Sequence, residues 1–318
     1  MRIEKSVFTI LVIMLAIVLT ACGQIAGEKI QLQLNMQRGE SYGVKMTVDE
    51  RISQTILGQK QDMTEVTSLE CTFNVEEVGA DGMALIDVTY DSIFLKQHSP
   101  DGTTIEYDSS DPPAIINPML CGYAALLGQS FSMVLSPNGK IKGIQGVDEI
   151  IKHMIDQFYL PDEAAKISIE RSMVEQFGDE VMKGMMSQVM DIYPGKPVGI
   201  GDSWSREIAI SRGFPMISVI SYTLKARKSG VAVIEVRSVV KNNPKSEPFE
   251  IEGMKFRYDI SGNCKGTMEI EESTGWPIRS RLTEKISGQM KLENLPQISG
   301  AISWPIFIES IWVVERID

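Results

Sequence analysis

The chain has 318 residues, of which 43% are hydrophobic and 23% charged, with a formal net charge of −11. The apolar share excludes a disordered tail, the negative balance excludes a nucleic-acid-binding surface, and four cysteines are too few for a disulfide scaffold. Two histidines leave little room for histidine-based catalysis or zinc chemistry.

The first segment carries Arg2 and Lys5, followed by the uncharged run Val7 to Leu19. A basic start and a short apolar core have the form of a secretory signal, and the run falls short of the ~20 residues of a membrane-spanning helix. Small residues then lead to Leu19-Thr20-Ala21-Cys22-Gly23. This stretch resembles the lipobox of bacterial lipoproteins. The resemblance implies cleavage after Ala21 and a diacylglycerol on the sulfur of Cys22. Gly23 rather than Asp follows the cysteine, which in double-membraned bacteria favours the outer membrane. Loss of Arg2, Glu4 and Lys5 takes the net charge from −11 to −12, so attachment must come from lipid rather than a polybasic patch. The expected organisation is a signal peptide over 1–21, a lipidated tether over 22–29 and a β-rich domain over 30–318.

Strand patterns begin after the tether. A strand is expected over Tyr42 to Ile56. Leu69, Cys71, Phe73 and Val75 alternate with polar residues, and Ile86, Val88 and Tyr90 continue beyond the turn at Gly79-Ala80-Asp81-Gly82. A period of two marks half-buried antiparallel strands. Two more strands, Gln129 to Leu135 and Lys140 to Gln145, flank the strong hairpin turn Asn138-Gly139.

The middle of the chain changes period. Val147 to Tyr159 and Asp162 to Ile192 lack strand alternation, which predicts a helical segment over about 147–192. Ile169, Met173, Phe177, Val181, Met185 and Val189 recur every four residues, with Val174, Met182, Met186 and Met190 beside them. This predicts one amphipathic helix from Pro161-Asp162 to just before Pro194-Gly195. Its methionines fit a soft core face against a sheet. They also fit an adaptable surface for a hydrophobic ligand, with Met173, Phe177, Met182, Met185 and Met186 facing it.

After Gly199 strands return. Val219 to Arg227 and Val231 to Val240 form a hairpin over Ser229-Gly230. Cys264 to Ile270 and Leu282 to Leu292 flank the turn Ser273-Thr274-Gly275, and Ile306 to Ile317 forms a last strand. A short motif recurs as Gly39-Glu40-Ser41-Tyr42, Gly128-Gln129-Ser130-Phe131 and Gly201-Asp202-Ser203-Trp204. It reads as a glycine turn, a polar cap and an aromatic planted in the core. The repeat suggests two related β-meander halves around the helical segment. The expected class is therefore α+β, with curved antiparallel sheet and a Met-rich helical segment packed on it.

No catalytic constellation emerges. Gly201-Asp202-Ser203 is similar to the Gly-Asp-Ser block of some esterases, but His98 and His153 both precede it and no base follows. Neither histidine has a metal-ligand partner at the required spacing. The acidic runs at Glu76-Glu77, Asp108 to Asp111 and Glu269 to Glu272 read as solvated faces. No cofactor is expected. Cys71 and Cys264 fall on apolar strand faces and read either as a disulfide or as buried free thiols.

Gly39 to Tyr42, Leu135 to Lys140, Tyr193-Pro194 with Pro197-Val198, and Gly201 to Trp204 together resemble a family of uncharacterised bacterial lipoproteins. That resemblance implies an envelope location and supplies no activity. Two functions suit these features: a non-enzymatic module that binds a lipid or lipopeptide, and an assembly lipoprotein that presents its surface to another envelope protein. A hydrolase is a distant third.

Overall fold

A computed structural model describes residues 28–113, 120–156, 162–210, 216–243, 249–251, 254–293 and 300–317. Residues 1–27, with Ala21 and Cys22, lie outside them. In chain order the elements are β1 (Ser41–Ile56), β2 (Gln59–Val78), β3 (Ala84–His98), β4 (Thr104–Asp108), α1 (Cys121–Leu126), β5 (Ser130–Leu135), β6 (Ile141–Gln145), α2 (Val147–Asp156), α3 (Glu163–Phe177), α4 (Asp179–Met190), β7 (Ser203–Ile210), β8 (Met216–Lys228), β9 (Val231–Asn242), β10 (Phe249–Ile251), β11 (Met254–Glu271), β12 (Pro277–Glu293) and β13 (Ile302–Ile317). The molecule is mostly antiparallel sheet with a few short helices, as the strand periods predict.

The thirteen strands of the described residues form one sheet, ordered β6-β5-β3-β2-β1-β13-β12-β11-β9-β8-β7, with β4 on β3 and β10 on β11. The first and last strands pair in its middle, from Gly43 opposite Ile317 to Gln54 opposite Ile306. The two arms are thus one continuous surface rather than separate halves. All three Gly-x-Ser-aromatic motifs open strands: their glycines have positive φ (84°, 74° and 94°), and Tyr42, Phe131 and Trp204 are buried.

The sheet is curved. Phe131, Met133 and Leu135 of β5 share one core with Tyr222 and Leu224 of β8, although nearly the whole sheet separates them along the strand order. The face they occupy is therefore concave. A strap over residues 30–36 closes one rim. Ile30 exchanges backbone hydrogen bonds with Val198, the Leu34 amide donates to the Pro137 carbonyl and the Asn35 amide to the Thr274 carbonyl. The strap thereby ties the β5–β6 turn to the β11–β12 turn, and Leu32, Leu34 and Met36 are buried beneath it.

The helices pack beside the β6 arm. In α2, Val147, Ile150, Ile151, Met154 and Ile155 are buried, the i, i+3, i+4 spacing of a core-facing stripe. The single helix expected over Asp162 to Ile192 is instead two, broken at Gly178. There the Asp179 carboxylate accepts from the Val147 amide (2.9 Å), and the Asp148 carboxylate from the Asp179 amide (3.0 Å). A Cβ on residue 178 would lie 2.6 Å from that Asp148 oxygen. Reciprocal capping between α2 and α4 thus overrides a continuous helical period. Ile169 and Val189, placed on the apolar stripe by their spacing, are exposed.

Candidate functional site

Parity along the strands identifies the two faces. On β1 the residues in phase with buried Tyr42 are Val44, Met46, Val48, Glu50 and Ile52, all on the concave side. The intervening Lys45, Thr47, Asp49, Arg51 and Ser53 face outward. The outer face is laced with ion pairs such as Lys45–Glu70 (2.8 Å), Lys285–Glu309 (2.7 Å) and Lys96–Glu106 (2.7 Å).

Three apolar clusters occupy the concave side. The largest lies under the strap and helices. A second, around Ile260, Ile286, Met290 and Trp304, lies toward the opposite ends of β11 to β13. A third sits under β3 and β4 around Ile93, Leu95 and Tyr107. Between them Met46 lies opposite Val314 and Val48 opposite Trp312. None of these four belongs to any of the clusters, and Trp312 is 36% exposed, a large hydrophobic surface for a concave face.

A polar row crosses the sheet beside this patch. Register places Gln97, Glu65, Glu50, Ser310, Glu284, Cys264 and Ser238 side by side on β3, β2, β1, β13, β12, β11 and β9. The Ser310 hydroxyl donates to Glu50 (2.9 Å), and the Gln97 side-chain amide donates to Glu65 (3.1 Å). Glu50 and Glu65 are directly opposed like charges, an arrangement that costs stability in a sheet. Burial holds the Glu284 carboxyl above the ordinary glutamate range, and the Glu50 charge adds to this. Such a shift means that the folded state binds the Glu284 proton more tightly than the unfolded chain does. Stability therefore falls as pH rises past the ordinary glutamate pKa, and Glu284→Gln should stabilise the protein near neutral pH by roughly 0.5–1 kcal/mol. Urea unfolding at pH 7 measures this, and no gain would mean that the ionised carboxylate carries no penalty.

Met173, Met182 and Met186 are partly buried and pack against the main core. The side chains of Phe177 and Met185 lie outside the described residues. Cys71 and Cys264 are both free thiols, not a disulfide. They share the concave face but sit on β2 and β11, four strand spacings or roughly 19 Å apart along the sheet, where a bridge needs Cα atoms within about 7 Å. Burial pushes the Cys264 thiol up to about 11 and that of Cys71 to about 12. Ser203 shares a hydrogen bond with Thr223 (2.9 Å), His98 with Thr104 (2.7 Å), and His153 is exposed on α2. Among the described residues no group of three His, Cys, Asp or Glu side chains is arranged to hold a metal ion, and no helix is long and apolar enough to cross a membrane. Glu50, Glu65 and Glu284 were legible only as acidic residues in phase with apolar neighbours, such as Glu284 between Leu282 and Ile286.

Residues 81–277 match the model of a family of unknown function, DUF6263. The chain belongs to this family. The DUF6263 match runs from the β2–β3 turn through the helices to the start of β12, so β1 and β13 lie outside it. No curated protein matches the chain. Among solved structures, lipovitellin covers 89% of this chain at 9% identity with a TM-score of 0.49, and the chain spans about a quarter (26%) of lipovitellin's length. The COG4313 outer-membrane channel of Pseudomonas putida F1 covers 89% of this chain and 97% of its own at 9% identity, with a TM-score of 0.22. OmpF of Salmonella typhi covers 88% and 99% at 7% identity, with a TM-score of 0.21. Scores this low carry no functional argument. The polarity of the sheet also runs opposite to that of a membrane barrel, which is apolar outside and polar within. Here ion pairs lace the outer face and the apolar clusters lie inside.

Proposed function

We propose that this DUF6263 protein is a non-enzymatic, lipid-anchored lipoprotein of the cell envelope that holds a hydrophobic ligand, a lipid or lipopeptide, on its concave face. The observation that carries this reading is the half-exposed patch of Met46, Val48, Trp312 and Val314, framed by three buried clusters. A solvated aromatic on an inward face costs hydration free energy that a bound acyl chain would recover. Native mass spectrometry of protein gently extracted from its membranes should find a bound amphiphile. Trp312→Ala should weaken its retention roughly tenfold or more, because burying an aromatic side chain contributes about 1.5–3 kcal/mol. Wild-type protein that carries no amphiphile and binds none would defeat the reading.

The anchor rests on the order of charge, apolar core, small residues and cysteine over Met1 to Cys22. The end of the tether is tied down at the strap's rim, where the Arg227 guanidinium donates to the Glu28 carbonyl (2.8 Å) and Lys29 pairs with Asp202 (3.3 Å). Cys22→Ser should move the protein wholly from the membrane fraction to the soluble fraction, as read by fractionation and immunoblot. Persistence in membranes would remove the lipid anchor from the proposal. Gly23 favours the outer membrane as its destination.

A further inference from the structure

The charge beside the patch narrows the ligand. Glu50 and Glu284 flank Ser310 on the concave face, one strand spacing to either side, and Glu65 stands next to Glu50. None of the three carboxylates has a basic partner among the described residues, whereas the carboxylates of the outer face are repeatedly paired. Trp312 lies one step along the same face, opposite Val48 on β1 and Leu282 on β12, so it is diagonal to both Glu50 and Glu284. A partly exposed indole beside unpaired carboxylates is a cation-selective arrangement: the ring face attracts an ammonium through its quadrupole, and the carboxylates supply opposite charge. The same carboxylates repel a sulfate, phosphate or fatty-acid head.

Resting on the reading of the concave face as a ligand groove, we propose that the ligand is an amphiphile with a cationic, ammonium-type head. Its tail lies over Met46, Val48 and Val314, and its head sits between Trp312, Glu50 and Glu284. The cation relieves the repulsion along the carboxylate row, so binding and stability are coupled.

Isothermal titration of the purified protein with three twelve-carbon amphiphiles, each below its micellar concentration, tests this. Dodecyltrimethylammonium should bind at least tenfold more tightly than dodecylphosphocholine, and dodecyl sulfate most weakly. The Glu50→Gln/Glu284→Gln variant should bind the first two alike while keeping the tail's share of affinity. Equal affinities in the wild type, or a preference for the sulfate, would overturn the cationic head while leaving the apolar groove intact. No binding of any amphiphile would overturn both. The wild-type ranking is decisive even where the double variant does not fold.

Discussion

Gly275→Ala should destabilise the protein by roughly 2–4 kcal/mol, read as a lower urea midpoint at unchanged slope. Gly275 ends the β11–β12 turn with φ +72°, and a Cβ there would lie 1.9 Å from the Gln33 carbonyl oxygen and 2.9 Å from the Leu34 nitrogen. Both atoms are backbone of the strap, so no side-chain rotation relieves the clash. The strap must lift, and with it the hydrogen bond from the Asn35 amide to Thr274 (2.8 Å) and the burial of Leu32 and Leu34. The Gly275 carbonyl also accepts from the buried Tyr193 hydroxyl (2.7 Å). Gly195 provides the control: its φ is +71° and a Cβ there meets nothing within 4 Å. Gly195→Ala should therefore cost only the left-handed penalty of about 1 kcal/mol. Equal losses at the two glycines would show that the strap yields freely and does not hold the rim.

This junction marks the boundary of what the sequence reveals. Ser273-Thr274-Gly275 is legible as a turn from composition, and Leu282 to Leu292 as a strand from alternation, because turns and strand faces are local properties. That the turn receives a strap from residues more than two hundred positions earlier is not local, and no periodicity encodes it. The same holds for the pairing of β1 with β13: each strand is visible alone, but their register depends on the curvature of the whole sheet. The helix break at Gly178 fails for a related reason. Apolar spacing runs unbroken through it, while the Asp148–Asp179 exchange that decides the break is tertiary. Glu50 and Glu284 are the subtler case. Both stand in phase with inward-facing apolar residues, yet in a chain of net charge −11 an acidic residue reads first as solvated surface. Only the fold separates Glu50 from its outward neighbour Asp49.

Two buried tryptophans, compared with each other, should respond to phenylalanine very differently. Trp276 stacks on Tyr42 with ring centroids 4.4 Å apart and meets Phe73 edge-on at 5.3 Å. Its indole nitrogen has no hydrogen-bond partner among the described residues. Trp204 stacks on Tyr222 at 5.6 Å, and its indole donates to the Ile192 carbonyl (2.7 Å). Trp276→Phe keeps an aromatic against Tyr42 and forfeits no hydrogen bond, so the loss should stay near 1–1.5 kcal/mol of packing. Trp204→Phe makes a comparable packing change and also strands a buried carbonyl, adding about 1–3 kcal/mol. Trp276→Ala empties the place where the strap, β1 and the β11–β12 turn converge, and should cost about 3–5 kcal/mol. Urea unfolding of the three variants ranks them directly. If Trp276→Phe proved the costlier of the two phenylalanine substitutions, the Trp276 indole would have to donate to a buried partner. If Trp276→Ala proved mild, the aromatic cluster would not be what fixes the closed rim, and the curvature of the concave face would have to come from the sheet alone.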